Sequence, residues 1–224
     1  VAASATLLRR VAEAVIDQRS PARRETAGGL RLGVAQSLFA VSAAAAGEAL
    51  ARILALSRSD GAVAIATPDL TLCNSVATII TGYEAARFLK PVFEETPVAF
   101  SGNVRQRLAI GAAIERPDYD LAQRIRSRLT ADFLAGPLAE CDLIVSPVTP
   151  RAAYRRDELN GSPEAVRELT LELLEFNRWV NSLGLPAVAM PLRLPDTGQM
   201  TSVQIIGRPY ADLDLLRFVE ALPL

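Results

Sequence analysis

Residues 30–66 read LRLGVAQSLFAVSAAAAGEALARILALSRSDGAVAIA. Leu30 to Ala35 is a short apolar run, as a strand buried on both faces would be. Ser42 to Ser57 has helical spacing, with Ser42 as expected N-cap and Asp60-Gly61 as the exit. Ala62 to Ala66 is a second short apolar run. Strand, helix and strand in this order predict a βαβ unit, hence a parallel or mixed sheet.

The flanks extend that pattern. Before it, Ala3 to Asp17 carries Leu7, Leu8, Val11, Ala14 and Val15 at helical spacing, and Ser20-Pro21 is expected to stop the helix. A polar connection then runs to Gly28-Gly29. After it, Leu70 to Leu89 predicts a helix that Lys90-Pro91 breaks. Val104 to Ile114 and Tyr119 to Leu134 predict two more, separated by Arg116-Pro117-Asp118. Asp142 to Val145 predicts a buried strand. Pro147 to Pro163 is a long polar segment, of a kind that is usually functional or mobile. Glu164 to Val180 predicts an amphipathic helix, Pro186 to Met190 and Ser202 to Ile206 two core strands, and Ala211 to Ala221 a closing helix. The expected fold class is α/β: a mixed β-sheet core flanked by helices on both faces.

Composition narrows the chemistry. The chain has 224 residues, 50% hydrophobic and 22% charged, enough for one sizeable core. Its net charge of −1 gives no electrostatic footprint for nucleic acid. It contains no histidine, which excludes a Ser-His-Asp triad, a Cys-His dyad and a His-ligated zinc within these residues. Lys90 is its sole lysine. Cys73 and Cys141 are too few for a disulfide scaffold and suit a reducing cytoplasm. The most apolar stretch, Val34 to Leu56, is interrupted by Gln36, Glu48 and Arg52, so no membrane span is expected. The start lacks the basic region of a secretory leader. It opens on Val1 inside an apparent helix, as part of a longer polypeptide would.

Standard motifs are missing. There is no Gly-x-Gly-x-x-Gly, no phosphate loop ending in Gly-Lys-Ser/Thr and no Gly-x-Ser-x-Gly elbow. Arg124, Arg126 and Arg128 read as a solvated helix surface, since residues two apart do not share a face. Arg155-Arg156 reads as an exposed loop pair, with an anion contact as the other option. Glu94-Glu95 and Asp212 with Asp214 read as solvated acids rather than an acid/base pair. Cys73 lies near a helix start, where a thiolate would be favoured, but a small buried residue is the plainer reading.

Four ordered segments carry a resemblance. Residues 181–191 read NSLGLPAVAMP, and residues 198–209 read GQMTSVQIIGRP. Leu30 to Val34 forms an opening strand. Asp118-Tyr119, Ala122 and Arg126 give Asp-Tyr-x-x-Ala-x-x-x-Arg, and Asp142 to Pro150 reads DLIVSPVTP. Together they resemble the C-terminal part of the amidase signature family. The match departs from the family's Gly-Leu-Pro-x-Gly at Gly198-Gln199-Met200-Thr201-Ser202.

The resemblance implies an enzyme that hydrolyses or transfers carboxamides. It implies a Ser nucleophile, a second Ser with a cis peptide bond and a neutral, buried Lys as base, which explains amide chemistry without histidine. Those groups belong to the family's N-terminal half, which the segment matching Leu30 follows; Lys90 is not in a matching position. Residues 1–224 are therefore expected to form a single, incomplete domain, with no catalytic residue of their own. By the same resemblance Thr149, Asn181 and Gln204 are candidate substrate-binding residues. The alternatives are that Asn181 caps its helix and that Gln204 satisfies buried backbone groups. The expected partners are a small-molecule amide and the missing N-terminal half or a partner subunit, with homo-oligomerisation open. No nucleic acid, membrane, cofactor or metal is expected, and the expected location is cytoplasmic. A second reading is a non-catalytic subunit or pseudoenzyme of the same fold acting through a protein partner. A third, an unrelated small-molecule-binding α/β domain, treats the ordered match as chance.

Overall fold

The computed structural model describes residues 4–16, 30–57, 59, 61–151, 157–158, 162–196, 198 and 200–223. The expectations at Ser20-Pro21, Gly28-Gly29, Asp60, Arg155-Arg156 and Gln199 lie outside the described residues.

A five-stranded mixed sheet forms the centre. Its strands are β1 (Leu32–Val34), β2 (Ala62–Ala64), β3 (Leu143–Pro147), β4 (Ala187–Arg193) and β5 (Met200–Ile206), in the order β2-β1-β3-β5-β4. β1 pairs in parallel with β2 and β3, while β5 runs antiparallel to both β3 and β4. The βαβ unit read from residues 30–66 is present.

The helices are α1 (Ala5–Val15), α2 (Gln36–Ala40), α3 (Ala44–Ser57), α4 (Leu70–Glu95), α5 (Gly102–Ala112), α6 (Arg116–Ala135), α7 (Pro137–Glu140), α8 (Pro163–Leu183) and α9 (Asp212–Ala221). Alternation along the strands splits the core into two layers. Leu32, Val34, Leu143, Val145, Val203 and Ile205 meet Ala49 and Ile53 of α3 and Leu215 and Val219 of α9 on one face. Ile144 and Ile206 point the other way, onto Phe133, Leu138, Phe176, Trp179 and Leu183. Gly33 lies where a Cβ would come within 2.6 Å of the Cys141 sulfur, so only glycine lets β1 approach Cys141 this closely.

Local expectations give way at four places. Lys90-Pro91 does not end α4, which continues to Glu95 with Pro91 inside it. Pro91 is exposed, so the carbonyl left without its N–H partner can meet water. Arg116-Pro117-Asp118 is not a break but the first turn of α6, where a missing N–H costs nothing. Ser42 does not cap α3; its hydroxyl donates to the Leu38 carbonyl at 2.6 Å, closing the unanticipated short α2. Arg126 is partly buried rather than solvated, and its Nε donates to the Ser182 carbonyl at 2.6 Å.

Candidate functional site at the carboxyl end of strand β3

β3 is buried along its whole length, and its last residues, Ser146 and Pro147, deliver the chain to the Val148–Arg151 segment. That exit is held from three sides. Gln204, on β5 directly opposite Ser146, is 4% exposed. Its Nε2 donates to the carbonyls of Phe176 at 2.9 Å and Pro147 at 3.2 Å, and to Ser146 Oγ at 3.3 Å. Asn177, one residue past Phe176 on α8, donates its Nδ2 to the Val148 carbonyl at 2.9 Å. The Ala43 N–H reaches the Pro150 carbonyl at 2.9 Å. Two side-chain amides and one backbone amide thus bind the carbonyls of 147, 148 and 150. Thr149 sits between these anchors, partly buried, with its hydroxyl donating to the Arg151 carbonyl at 2.7 Å. That hydroxyl keeps its acceptor lone pairs.

The three candidate residues do not fall together. Gln204 and Thr149 flank the β3 exit. Asn181 lies four residues beyond Asn177, in the last turn of α8, with its side chain on the exposed side. Its backbone carbonyl accepts the Gly184 N–H at 3.1 Å, and Gly184, with φ of 67°, is the left-handed residue that ends α8. Asn177 and Ser146 belong to the cluster although sequence reasoning did not single them out. The signal for Asn177 was its place one helical turn before Asn181.

The two thiols and the lysine of the described region lie elsewhere. Burial pushes the thiols of Cys73 and Cys141 up to about 11, so neither offers a thiolate near neutrality. Lys90 is exposed on α4, 3.7 Å from Glu94. Among the described residues no group of three His, Cys, Asp or Glu side chains is placed to hold a metal ion. None of their helices is long and apolar enough to cross a membrane. What the β3 exit can do is present a fixed, mostly neutral wall with one hydroxyl and several amides.

Residues 8–216 match the family model described as Amidase. The chain belongs to the amidase family. Among curated relatives of the amidase chain, a fatty acid amide hydrolase of Medicago truncatula is 31% identical over 170 residues, covering 74% of this chain and 28% of that one. A glutamyl-tRNA(Gln) amidotransferase subunit of Chromobacterium violaceum is 27% identical over 221 residues, covering 86% and 44%. Among solved structures, a crystal structure of an amidase superimposes with a TM-score of 0.73 at 23% identity, covering 97% of this chain and 50% of that one. A 6-aminohexanoate cyclic dimer hydrolase gives 0.69 at 17% identity, covering 100% and 54%. These superpositions show the same fold. The chain spans less than half the length of the two curated relatives and about half of the two structures.

Proposed function

We propose that this chain is the C-terminal portion of an enzyme that cleaves carbon–nitrogen bonds of small-molecule carboxamides. The observation that carries the proposal is the family match over residues 8–216 combined with the pinned β3 exit. The Ser nucleophile, the second Ser and the neutral Lys base come from a segment N-terminal to this one. This portion supplies the wall of the acyl pocket. Thr149 faces substrate there, Gln204 holds the wall and orients the backbone beside it, and Asn181 secures the turn into β4. Hydrolysis and amido transfer share the acyl-enzyme step, and relatives of both kinds are known by name, so the proposal extends to the carboxamide and not to the acceptor. Burial of both thiols without a disulfide suits a cytoplasmic location.

Release of ammonia or amine from a panel of small amides tests this. The 224-residue chain alone is expected to release none. The same chain joined to a Ser/Lys-bearing amidase N-terminal half is expected to hydrolyse at least one. Hydrolysis by the chain alone, or none by the completed protein, overturns the proposal.

One observation favours a second reading, a non-catalytic subunit of the same fold: the buried thiols and the exposed Lys90 leave the described region without an activated nucleophile. A native polypeptide of about this chain's mass that stays stably bound to another protein and inert toward amides would favour it.

A further inference from the structure

Arg178 of α8 is a half-buried cation without a counter-charge among the described residues. Its one partner there is the Thr78 hydroxyl of α4, which accepts from Nη1 at 3.2 Å. Thr78 gives its own proton to the Asn74 carbonyl at 2.8 Å, so it fixes the guanidinium and offers it no charge. Glu175, one turn back on α8, makes no ion pair with Arg178 among the described residues. The charge that Arg178 does feel is of its own sign. Burial, together with repulsion from Arg107 of α5, holds its guanidinium below the ordinary value. A partly desolvated cation is costly until an anion completes it.

The neighbouring helices supply no such anion. α4 has no charged side chain from Leu70 to Tyr83, and α5 carries Arg105 and Arg107 with no acid. The place of the pair follows from how the helices run. α4 is antiparallel to α8: the Ser182 hydroxyl donates to the Cys73 carbonyl at 2.9 Å, and Thr78 lies beside Arg178. α4, and the α5 that packs on it where Gly82 meets Gly111, therefore run toward the level at which Asn177 pins the Val148 carbonyl. Arg178 follows Asn177 directly, about 100° around α8. The arginines thus stand at the same end of the sheet as the β3 exit, on the adjoining side of α8.

We infer that Arg178 and Arg107, with Thr78 holding the first of them in place, form a subsite for the carboxylate of a substrate that carries its carboxamide at the other end. This rests on the proposed function above and narrows its substrate class to amic acids. The free edge of Arg178 favours a carboxylate. Thr78 takes Nη1, while Nε and Nη2 have no partner among the described residues. These two N–H groups point side by side and meet the two oxygens of a carboxylate in parallel hydrogen bonds. Arg107, exposed on α5, adds the second positive charge. An amide of a plain apolar acid gains nothing from either group.

The test is calorimetric titration of the 224-residue chain with succinamate, and with butyramide, which lacks the carboxylate. Succinamate is expected to bind saturably in the millimolar range and butyramide not at all. Arg178→Gln is expected to weaken succinamate by about tenfold or more, as loss of a charge-assisted pair does. Arg107→Gln, at an exposed position, is expected to weaken it by about threefold. Arg124→Gln, an exposed arginine of α6, leaves it unchanged, and all three variants are expected to melt with the parent. Absence of saturable binding, equal binding of butyramide, or parent-like binding by Arg178→Gln or by Arg107→Gln overturns the inference. The same titration on the chain joined to its Ser/Lys-bearing N-terminal half separates substrate from protein. If the chain alone binds succinamate and the completed protein does not, an acid of the other half fills the place, and the substrate assignment falls. If the completed protein binds succinamate through Arg178 but cleaves no amide, the subsite stands and the proposed function falls instead.

Discussion

Gln204 concentrates the residue-scale argument. One primary amide, buried on β5, serves acceptors on β3 and α8. Gln204→Leu keeps the volume and removes one donor from the Phe176 and Pro147 carbonyls, of which Pro147 keeps the Ser146 hydroxyl at 3.1 Å. The expected cost is about 1–2 kcal/mol, in the range of net buried hydrogen bonds lost without leaving a group unpaired. Asn181→Ala, at an exposed position, is expected to stay within about 0.5 kcal/mol of the parent. Urea unfolding followed through Trp179, the single and fully buried tryptophan, reads both. Gly33→Ala places a methyl against the Cys141 sulfur and is expected to cost about 1–3 kcal/mol, as overpacking does. Removing the sulfur with Cys141→Ala is expected to relieve part of that cost, so a double-mutant cycle gives a coupling energy clearly different from zero. The thiols add a pH dependence. Both ionise near 11 in the fold and near the ordinary 9 when unfolded. The folded state therefore holds more protons between those values, and stability falls as pH rises from about 9 to 11. A thiol reagent at pH 8 is expected to find neither cysteine in the native chain and both in urea.

At the scale of elements, α1 and α8 show two ways of attaching a helix. α8 is anchored by Phe176, Trp179, Val180 and Leu183 in the core, with Ser162 accepting the Ala165 N–H at its start and Gly184 closing its end. α1 has no fully buried residue and lies on α9 through a half-buried side of Ala5, Leu8, Ala12 and Ile16 together with the Arg9–Glu220 ion pair. Arg9→Ala is therefore expected to speed hydrogen exchange across residues 5–15 while leaving α8 protected. Arg9 holds the Glu220 carboxyl below its ordinary value, so this attachment is present above the ordinary carboxylate range and is lost as pH falls through the lowered value. The same exchange experiment, repeated as the pH is taken below the ordinary carboxylate range, checks the sign. Element existence was legible where periodicity was strong: β1, β3, β5, α6 and α8 all lie where apolar spacing puts them. Element ends were less so. Pro91 and Pro117 both read as helix breaks and neither is one. Pro91 lies inside α4 on an exposed face, and Pro117 sits in the first turn of α6.

For the whole molecule, the core layers cover β1, β3 and β5, one of them reaches β4, and β2 is exposed along its length, so the periphery is not closed. β4 and β2 are both edges, and Leu7, Val11 and Val15 stand in solvent. The chain alone is expected to bind a hydrophobic dye and to self-associate as concentration rises, read by sedimentation. Monodisperse, dye-silent behaviour with one cooperative melt would mark a self-sufficient subunit instead.

The sequence by itself determined the α/β class, the family and the absence of histidine chemistry. Those depend on local periodicity, residue inventory and ordered motifs, which survive without coordinates. It also pointed to Thr149 and Gln204 beside the DLIVSPVTP strand. The tertiary structure decided the rest. It separated Asn181 from the β3 exit, brought in Asn177 from α8, turned Arg126 inward and left Leu7, Val11 and Val15 of α1 outward. Each of these depends on which surfaces meet across tens of residues. A hydrophobic stripe shows that a face is to be buried, but only the packed molecule shows against what.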